Sequence, residues 1–154
     1  MAMMDDNALF LDTNILVYAA VGKSLHHKTC VKYLVNKRRS NTKLVISRQI
    51  LREFMAALSR PQKAFSPIRR DRIVRMALAF QRRMAVCDDH ALVSTHLVQI
   101  FEEFPVGGKQ VHDANIVATM LTYGMSTLVT YNVTDFRRFD GLIRLVTPGD
   151  VAEE

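Results

Sequence analysis

The sequence has few cysteines and no long apolar segment, and each of these features excludes some classes of protein. Its two cysteines, Cys30 and Cys87, lack the spacing of metal ligands and suit reduced thiols in a cytosol. The longest apolar run, Ile15 to Val21, is far too short to span a bilayer. Asp5 and Asp6 stand where a signal peptide would carry basic residues. We therefore expect a cytoplasmic protein that does not associate with a membrane.

The chain also lacks internal repeats, low-complexity segments and linkers. Its 154 residues are enough for one domain with a real core. Hydrophobic residues make up 49% and charged residues 23%, which is ordinary globular composition and argues against disorder. We predict a single domain over residues 8–148, with an N-terminal extension at 1–7 and a C-terminal tail at 149–154.

The charge of the chain is informative because basic residues are in excess. Twenty-one Lys and Arg against fifteen Asp and Glu give a net charge of +6. A basic body around an acidic pocket suits a polyanionic substrate that is cut with the help of cations. The alternative is that the charge only solvates the surface, since many basic proteins bind no nucleic acid.

Strands alternate with helices along the chain, which predicts an α/β fold. A central parallel sheet of about five strands should be flanked by helices on both sides. The predicted strands lie at residues 8–12, 44–46, 85–87, 126–130 and 142–146.

Local signals also predict where several helices begin and end. Ser47 is expected to cap the helix after the second strand. Ser66 followed by Pro67 predicts the start of the next helix. Asp88 or Asp89 is expected to start the one after the third strand, and Gly124 to end the helix over 112–123.

Four acidic residues lie just after predicted strands or in the first turns of the helices that follow them: Asp12, Glu53, Asp113 and Asp135. Because the carboxyl ends of parallel strands share one edge of a sheet, we expect these four side chains to converge. Clustered carboxylates repel one another unless a cation lies between them. The alternative is that each acid is structural, as a helix cap or a solvated residue.

The predicted cluster has the chemistry of a site for a hard divalent cation. All four candidates are oxygen donors with no Cys or His cluster beside them, which favours Mg²⁺ or Mn²⁺ over Zn²⁺. Such ions can polarise a phosphodiester and activate a water for in-line attack. Neighbouring polar residues are expected to orient the carboxylates or waters: Thr13, Asn14, Thr130 and Asn132.

The motifs around these acids resemble those of the PIN-domain nucleases, most closely the VapC-type toxins of bacterial toxin–antitoxin pairs. The resemblance extends from about residue 8 to Pro148. It rests on Leu11-Asp12-Thr13-Asn14-Ile15-Leu16-Val17-Tyr18, on Glu53, on His112-Asp113-Ala114-Asn115-Ile116-Val117-Ala118, and on Leu128-Val129-Thr130-Tyr131-Asn132-Val133-Thr134-Asp135-Phe136. Asp-Thr-Asn alone is a weak signal, whereas the His-Asp-Ala and Thr-x-Asn-x-x-Asp-Phe patterns are specific together.

The resemblance implies that Asp12, Glu53, Asp113 and Asp135 are the acidic metal-binding and catalytic set. Asp12 and Asp113 match direct ligands, and Asp135 matches a position that acts through water. The implied activity is Mg²⁺-dependent endonucleolytic cleavage of RNA that leaves a 3′-hydroxyl and a 5′-phosphate. The resemblance also implies a homodimer and neutralisation by a small acidic antitoxin.

Three other functions remain open from the sequence. The first is a PIN nuclease for RNA processing that has no antitoxin, and the second is a non-catalytic RNA-binding protein. The third is an aspartyl-phosphate phosphatase, which Asn14 disfavours because that chemistry usually has Asp-x-Asp after the strand. Five basic residues near the predicted edge are candidates for phosphate contacts, or simply a solvated face: Arg48, Arg52, Lys109, Arg137 and Arg138.

Overall fold

The computed structural model describes residues 6–63 and 65–149. Most of the predicted N-terminal extension and C-terminal tail therefore lies outside the described residues. The elements, in chain order, are β1 (Ala8–Leu11), α1 (Thr13–Ala20), α2 (His27–Arg39), β2 (Lys43–Ser47), α3 (Arg48–Leu58), α4 (Arg70–Arg83), β3 (Ala85–Cys87), α5 (Ala91–Glu103), α6 (Gln110–Thr122), β4 (Thr127–Val129), α7 (Val133–Phe136), a 3₁₀ turn (Arg137–Phe139) and β5 (Arg144–Val146).

The five strands form one parallel sheet in the order β3-β2-β1-β4-β5, which confirms the predicted fold class. In the central strand, Phe10 lies opposite Val45 of β2 and Leu128 of β4. From β1 the chain moves outward through β2 to β3, then returns to the other side of β1 at β4. The order therefore reverses between β1 and β4, and at such a point open α/β sheets form a crevice outside the carboxyl ends of their strands.

The helices form two layers. Helix α1 contacts α2 and α3, and α3 contacts α4, whereas α5 packs on α6 and α6 contacts α7. Right-handed crossovers place helices that join strands in one direction on one face and those that join strands in the other direction on the opposite face. Both faces of the sheet are thus covered, as the sequence predicts. No helix among the described residues combines the length and apolar character needed to cross a bilayer.

The core lies between the sheet and these layers. Phe10 and Leu11 of β1 have no exposed surface, and the same holds for Leu128 and Val129 of β4. Because both faces of a parallel sheet are covered, such strands are continuously apolar and do not alternate. Polar residues directly follow β1 and β4, so the side chains of Asp12 and Thr130 lie at the carboxyl edge of the sheet.

Two of the predicted helix ends are confirmed. Ser47 is the N-cap of α3, and its side-chain oxygen accepts a hydrogen bond from the Ile50 N–H at 3.2 Å. Gly124 follows α6 with a positive φ of 68°, a conformation that costs glycine little. The Met125 N–H then donates to the Met120 carbonyl at 2.8 Å, which closes the end of the helix.

Two other predicted helix starts are wrong. Helix α4 begins at Arg70, not at Ser66-Pro67, because the Ile68 N–H donates to the Leu58 carbonyl and holds this stretch against the end of α3. Helix α5 begins after His90, whose ring nitrogen accepts from the Leu92 N–H at 3.3 Å. Asp88 cannot start that helix because its N–H and carbonyl both bond to the Tyr123 hydroxyl.

Candidate functional site

Asp12 lies at the carboxyl end of β1, where the strand order reverses, and it is 5% exposed. Its Oδ1 accepts from the Thr13 N–H at 2.7 Å, so it caps α1 as the structural alternative proposed. Its Oδ2 accepts from the Thr130 hydroxyl at 2.7 Å and from the Asn14 amide at 3.1 Å. Burial raises the pKa of Asp12 and the charge of Glu53 adds to the rise, while these hydrogen bonds oppose it.

Thr130 is the link between β1 and the segment that follows β4. Besides donating to Asp12, its buried hydroxyl accepts from the Asn132 N–H at 2.9 Å. Asn14 reaches across the same gap, because its Oδ1 accepts from the Tyr131 N–H at 3.2 Å. Thr130 and Asn14 thus hold the Asp12 carboxylate through their side chains, and Asn132 joins the network through its backbone.

Glu53 lies in the second turn of α3 and contacts the start of α1, next to Asp12. Its Oε2 accepts from the Thr13 hydroxyl at 2.7 Å. Its Oε1 accepts from the side-chain amide of Gln49, one turn earlier in the same helix, at 3.0 Å. The carboxylate is therefore held from both sides, and Thr13 connects it to the backbone that follows Asp12.

Asp113 lies in the first turn of α6 and is half-buried, whereas Asp135, in α7, is exposed. The pKa of Asp113 is raised to about 6, first by burial and then by the charges of Asp12, Asp135 and Glu53. The positive charge of nearby Arg138 partly offsets this increase in the pKa of Asp113. All four acids that the sequence singles out therefore lie within electrostatic reach at one edge of the sheet.

The four carboxylates are near one another without enclosing a common point. Among the residues that the structure describes, no three His, Cys, Asp or Glu side chains lie close enough to surround a metal ion. Repulsion between like charges favours such a spread, and Asp12 and Glu53 are also held by other partners. The donor set nonetheless fits a hard cation such as Mg²⁺ or Mn²⁺, because it consists of carboxylate oxygens whose mutual repulsion a divalent charge would relieve.

The structure adds residues that sequence reasoning missed. Gln49 lies between Glu53 and α6, and its side-chain oxygen accepts from the side-chain amide of Asn115, a residue of α6, at 2.8 Å. The sequence feature that could have identified them is their proximity to predicted site acids. Gln49 precedes Glu53 by one helical turn, and Asn115 follows Asp113 by two residues. Nothing in the sequence pairs the two amides.

The basic candidates differ in their surroundings. Arg48 donates to Asp88 at 3.0 Å and to Gln81, on the side of β2 away from β4. Arg138 donates to the Pro105 carbonyl at 3.0 Å, which ties the 3₁₀ turn to the loop before α6. Arg52, Lys109 and Arg137 are exposed.

Several solved structures share this fold over most of the chain. A DNA-bound VapBC complex from Salmonella typhimurium has 25% sequence identity and a TM-score of 0.65, covering 96% of this chain and 98% of that chain. A toxin–antitoxin complex from Klebsiella pneumoniae has 22% identity and a TM-score of 0.64, covering 94% and 99%. VapC20 of Mycobacterium tuberculosis, a toxin that cleaves the sarcin–ricin loop, has 16% identity and a TM-score of 0.61, covering 78% and 86%.

A comparison with curated proteins gave no match. The PIN domain family model matches residues 9–142, which include all four acids and, except for Ala8, every strand but the last. Together with the structural neighbours, this match confirms the resemblance that the motifs indicate. The chain belongs to the PIN domain family.

Proposed function

We propose that this protein is a metal-dependent endoribonuclease and the toxin of a toxin–antitoxin pair. The observation that carries the proposal is that four carboxylates lie at one edge of the sheet, with those of Asp12 and Glu53 joined through Thr13. The charges of Asp12, Asp135 and Glu53 also contribute to the raised pKa of Asp113. The four carboxylates concentrate negative charge where the strand order of the parallel sheet reverses, in a chain whose net charge is positive.

In this proposal Asp12 and Asp113 bind Mg²⁺ or Mn²⁺ directly, Glu53 completes the site, and Asp135 acts through water. The bound cation supplies polarisation of the phosphodiester and a water of lowered pKa for in-line attack. The products are expected to carry a 3′-hydroxyl and a 5′-phosphate.

The chain's own residues hold these ligands in place. Thr130 and Asn14 leave Asp12 few orientations, since three donors already contact its two oxygens. Thr13 does the same for Glu53. Preorganised carboxylates lose little freedom when a ligand binds, which favours both metal affinity and a fixed position for the substrate phosphate.

RNA as the substrate is supported by the uneven distribution of charge. Residues 13–87, which contain α1 to α4, carry 17 Lys and Arg but only two acids, Glu53 and Asp71. Residues 88–154 carry four Lys and Arg and ten acids. The first helix layer is therefore strongly positive, and a polyanion would be attracted to it while the cleavage site lies at its edge.

A protein partner is supported by the structural neighbours, several of which are toxin–antitoxin complexes. We propose that a small acidic antitoxin neutralises this chain, that the toxin is a homodimer, and that it acts in the cytoplasm. Co-expression with the product of a neighbouring small acidic reading frame should restore growth that the toxin alone arrests. A PIN nuclease for RNA processing would show neither arrest nor rescue.

The activity is tested by incubating total RNA with the purified chain in Mg²⁺, in Mn²⁺ and in EDTA. We expect discrete fragments in either metal, none in EDTA, and ends that accept ligation as 5′-phosphates. Fragments that persist in EDTA, or that end in a 2′,3′-cyclic phosphate, would contradict the proposed chemistry.

A further inference from the structure

Gln49 is a buried polar residue in the first turn of α3, and its side chain contacts two of the helices that carry acids of the site, α3 and α6. It is 6% exposed. Its Nε2 donates to Glu53 Oε1 at 3.0 Å and to the His112 carbonyl at 2.8 Å. Its Oε1 accepts from Asn115 Nδ2 at 2.8 Å. Both N–H groups and the oxygen of the amide are thus used.

These partners fix the orientation of the Gln49 amide. If the amide were reversed, its oxygen would face two acceptors, the Glu53 carboxylate and the His112 carbonyl, and its NH₂ group would face the Asn115 NH₂. The observed orientation is therefore the one that satisfies all three partners, and an unsatisfied buried polar group would be costly.

The position of Gln49 gives these bonds a consequence for the site. Glu53 is on α3, in one helix layer, whereas His112 and Asn115 flank Asp113 on α6, in the other. Gln49 therefore spans the carboxyl edge of the sheet and fixes Glu53 relative to the helix turn that carries Asp113.

We infer that Gln49, held by Asn115, is a positioning residue that sets the separation of Glu53 and Asp113 for metal binding. The inference rests on the proposed metal-dependent function and goes beyond the four acids themselves. Residues that orient metal ligands from outside typically change metal affinity by about 10- to 100-fold when substituted.

The test is the affinity of the purified chain for Mn²⁺, measured by the loss of the free-ion signal in electron paramagnetic resonance. Gln49→Met keeps the length of the side chain but removes all three hydrogen bonds. Asn115→Ala removes only the bond between Asn115 and Gln49. Gln62→Met is the matched control, because Gln62 also bonds a backbone carbonyl, that of Ala57 at 3.0 Å, but beyond the far end of α3.

We expect Gln49→Met to weaken Mn²⁺ binding by about 10- to 100-fold, Asn115→Ala to weaken it less, and Gln62→Met to leave it unchanged. Thermal melts with and without Mn²⁺ separate positioning from a purely structural role. A positioning residue reduces the rise in melting temperature that Mn²⁺ causes, whereas a structural residue lowers both melting temperatures equally.

The inference is overturned if Gln49→Met and Asn115→Ala both fold and bind Mn²⁺ within twofold of the wild type. If Gln49→Met does not fold, the same criterion applies to Asn115→Ala alone. If the wild type binds Mn²⁺ no more tightly than Asp113→Asn does, the proposed metal site itself is wrong. This outcome is distinguishable from a failure of the Gln49 inference, because it does not involve the Gln49 or Asn115 variants.

Discussion

The Asp113 carboxyl group lies half-buried beside three other carboxylates, which raises its pKa to about 6 from the ordinary value of 3.8. The folded protein therefore binds this proton more tightly than the unfolded chain, whose Asp pKa is about 3.9. Stability gained from that proton is present near pH 4 and is lost as the pH rises through about 6.

We predict that Asp113→Asn removes part of this pH dependence in protein freed of metal by EDTA. At pH 7 the variant should be more stable by about 1 kcal/mol, a figure reduced for solvent screening of a half-exposed group, or roughly 2–4 °C in melting temperature. Near pH 4 the two proteins should converge. Melts across this range provide the measurement. Glu102→Gln is the control, because Glu102 is an exposed acid of α5. Parallel curves for wild type and Asp113→Asn would refute the prediction.

Thr130 provides a second prediction about a single residue. Thr130→Val keeps the shape of the side chain but leaves the Asn132 N–H unpaired and removes a donor from Asp12. We expect a loss of about 1–3 kcal/mol in urea denaturation and slower RNA cleavage. Thr127→Val, at the start of β4, should cost less because, among the described residues, the Thr127 hydroxyl loses only a 3.4 Å contact with exposed Arg144. Equal losses at both positions would contradict the role given to Thr130.

The start of α3 matters because this helix carries both Gln49 and Glu53. Ser47→Ala removes the hydrogen bond to the Ile50 N–H, and we expect it to lower stability by about 1 kcal/mol. Ser66→Ala is a matched control. Ser66 is followed by a proline, as an N-cap serine often is, but it caps no helix because α4 begins only at Arg70. Chemical denaturation of both variants tests the assignment, which a clear loss for Ser66→Ala would overturn.

The helices and strands could be predicted where their signals are local. Apolar runs bounded by polar residues gave all five strands, and the Ser47 and Gly124 ends follow from neighbouring residues. The wrong starts at Ser66 and at Asp88 have tertiary causes: the Ile68 bond to the end of α3, and the Tyr123 hydroxyl on the Asp88 backbone.

Some residues of the candidate site could likewise be predicted from the sequence, whereas others depend on tertiary contacts. Asp12, Asp113 and Asp135 could be predicted from their positions after strands or in first helix turns, because a parallel sheet brings those positions to one edge. Gln49 could not, because its role depends on His112 and Asn115, which lie more than sixty residues later in the chain.

The opposite charges of the two helix layers make a prediction about the molecule as a whole. In an Asp113→Asn background, replacing Arg75, Arg82 and Arg83 of α4 with Gln should weaken RNA binding. The slope of log affinity against log salt should fall by up to about 2 if each arginine neutralises one phosphate of a single strand. Filter binding over a range of salt concentrations provides the measurement.

The control for this prediction changes the net charge equally on the other layer. Ser94→Glu, Thr95→Glu and Gln99→Glu place three acids on the exposed surface of α5. They should alter RNA binding little, because they are on the layer that is already negative. Similar effects of both triple variants would mean that RNA responds to net charge and not to the α1–α4 layer.

The most direct measurement is cleavage of total RNA in Mg²⁺ by the wild type, Asp12→Asn and Asp113→Asn, each checked by a thermal melt. We expect discrete fragments from the wild type, and a loss of at least about 100-fold in rate for both variants while they remain folded. Undiminished cleavage by a folded Asp113→Asn variant, or no cleavage of any RNA by a folded, antitoxin-free wild type, would contradict the proposed function.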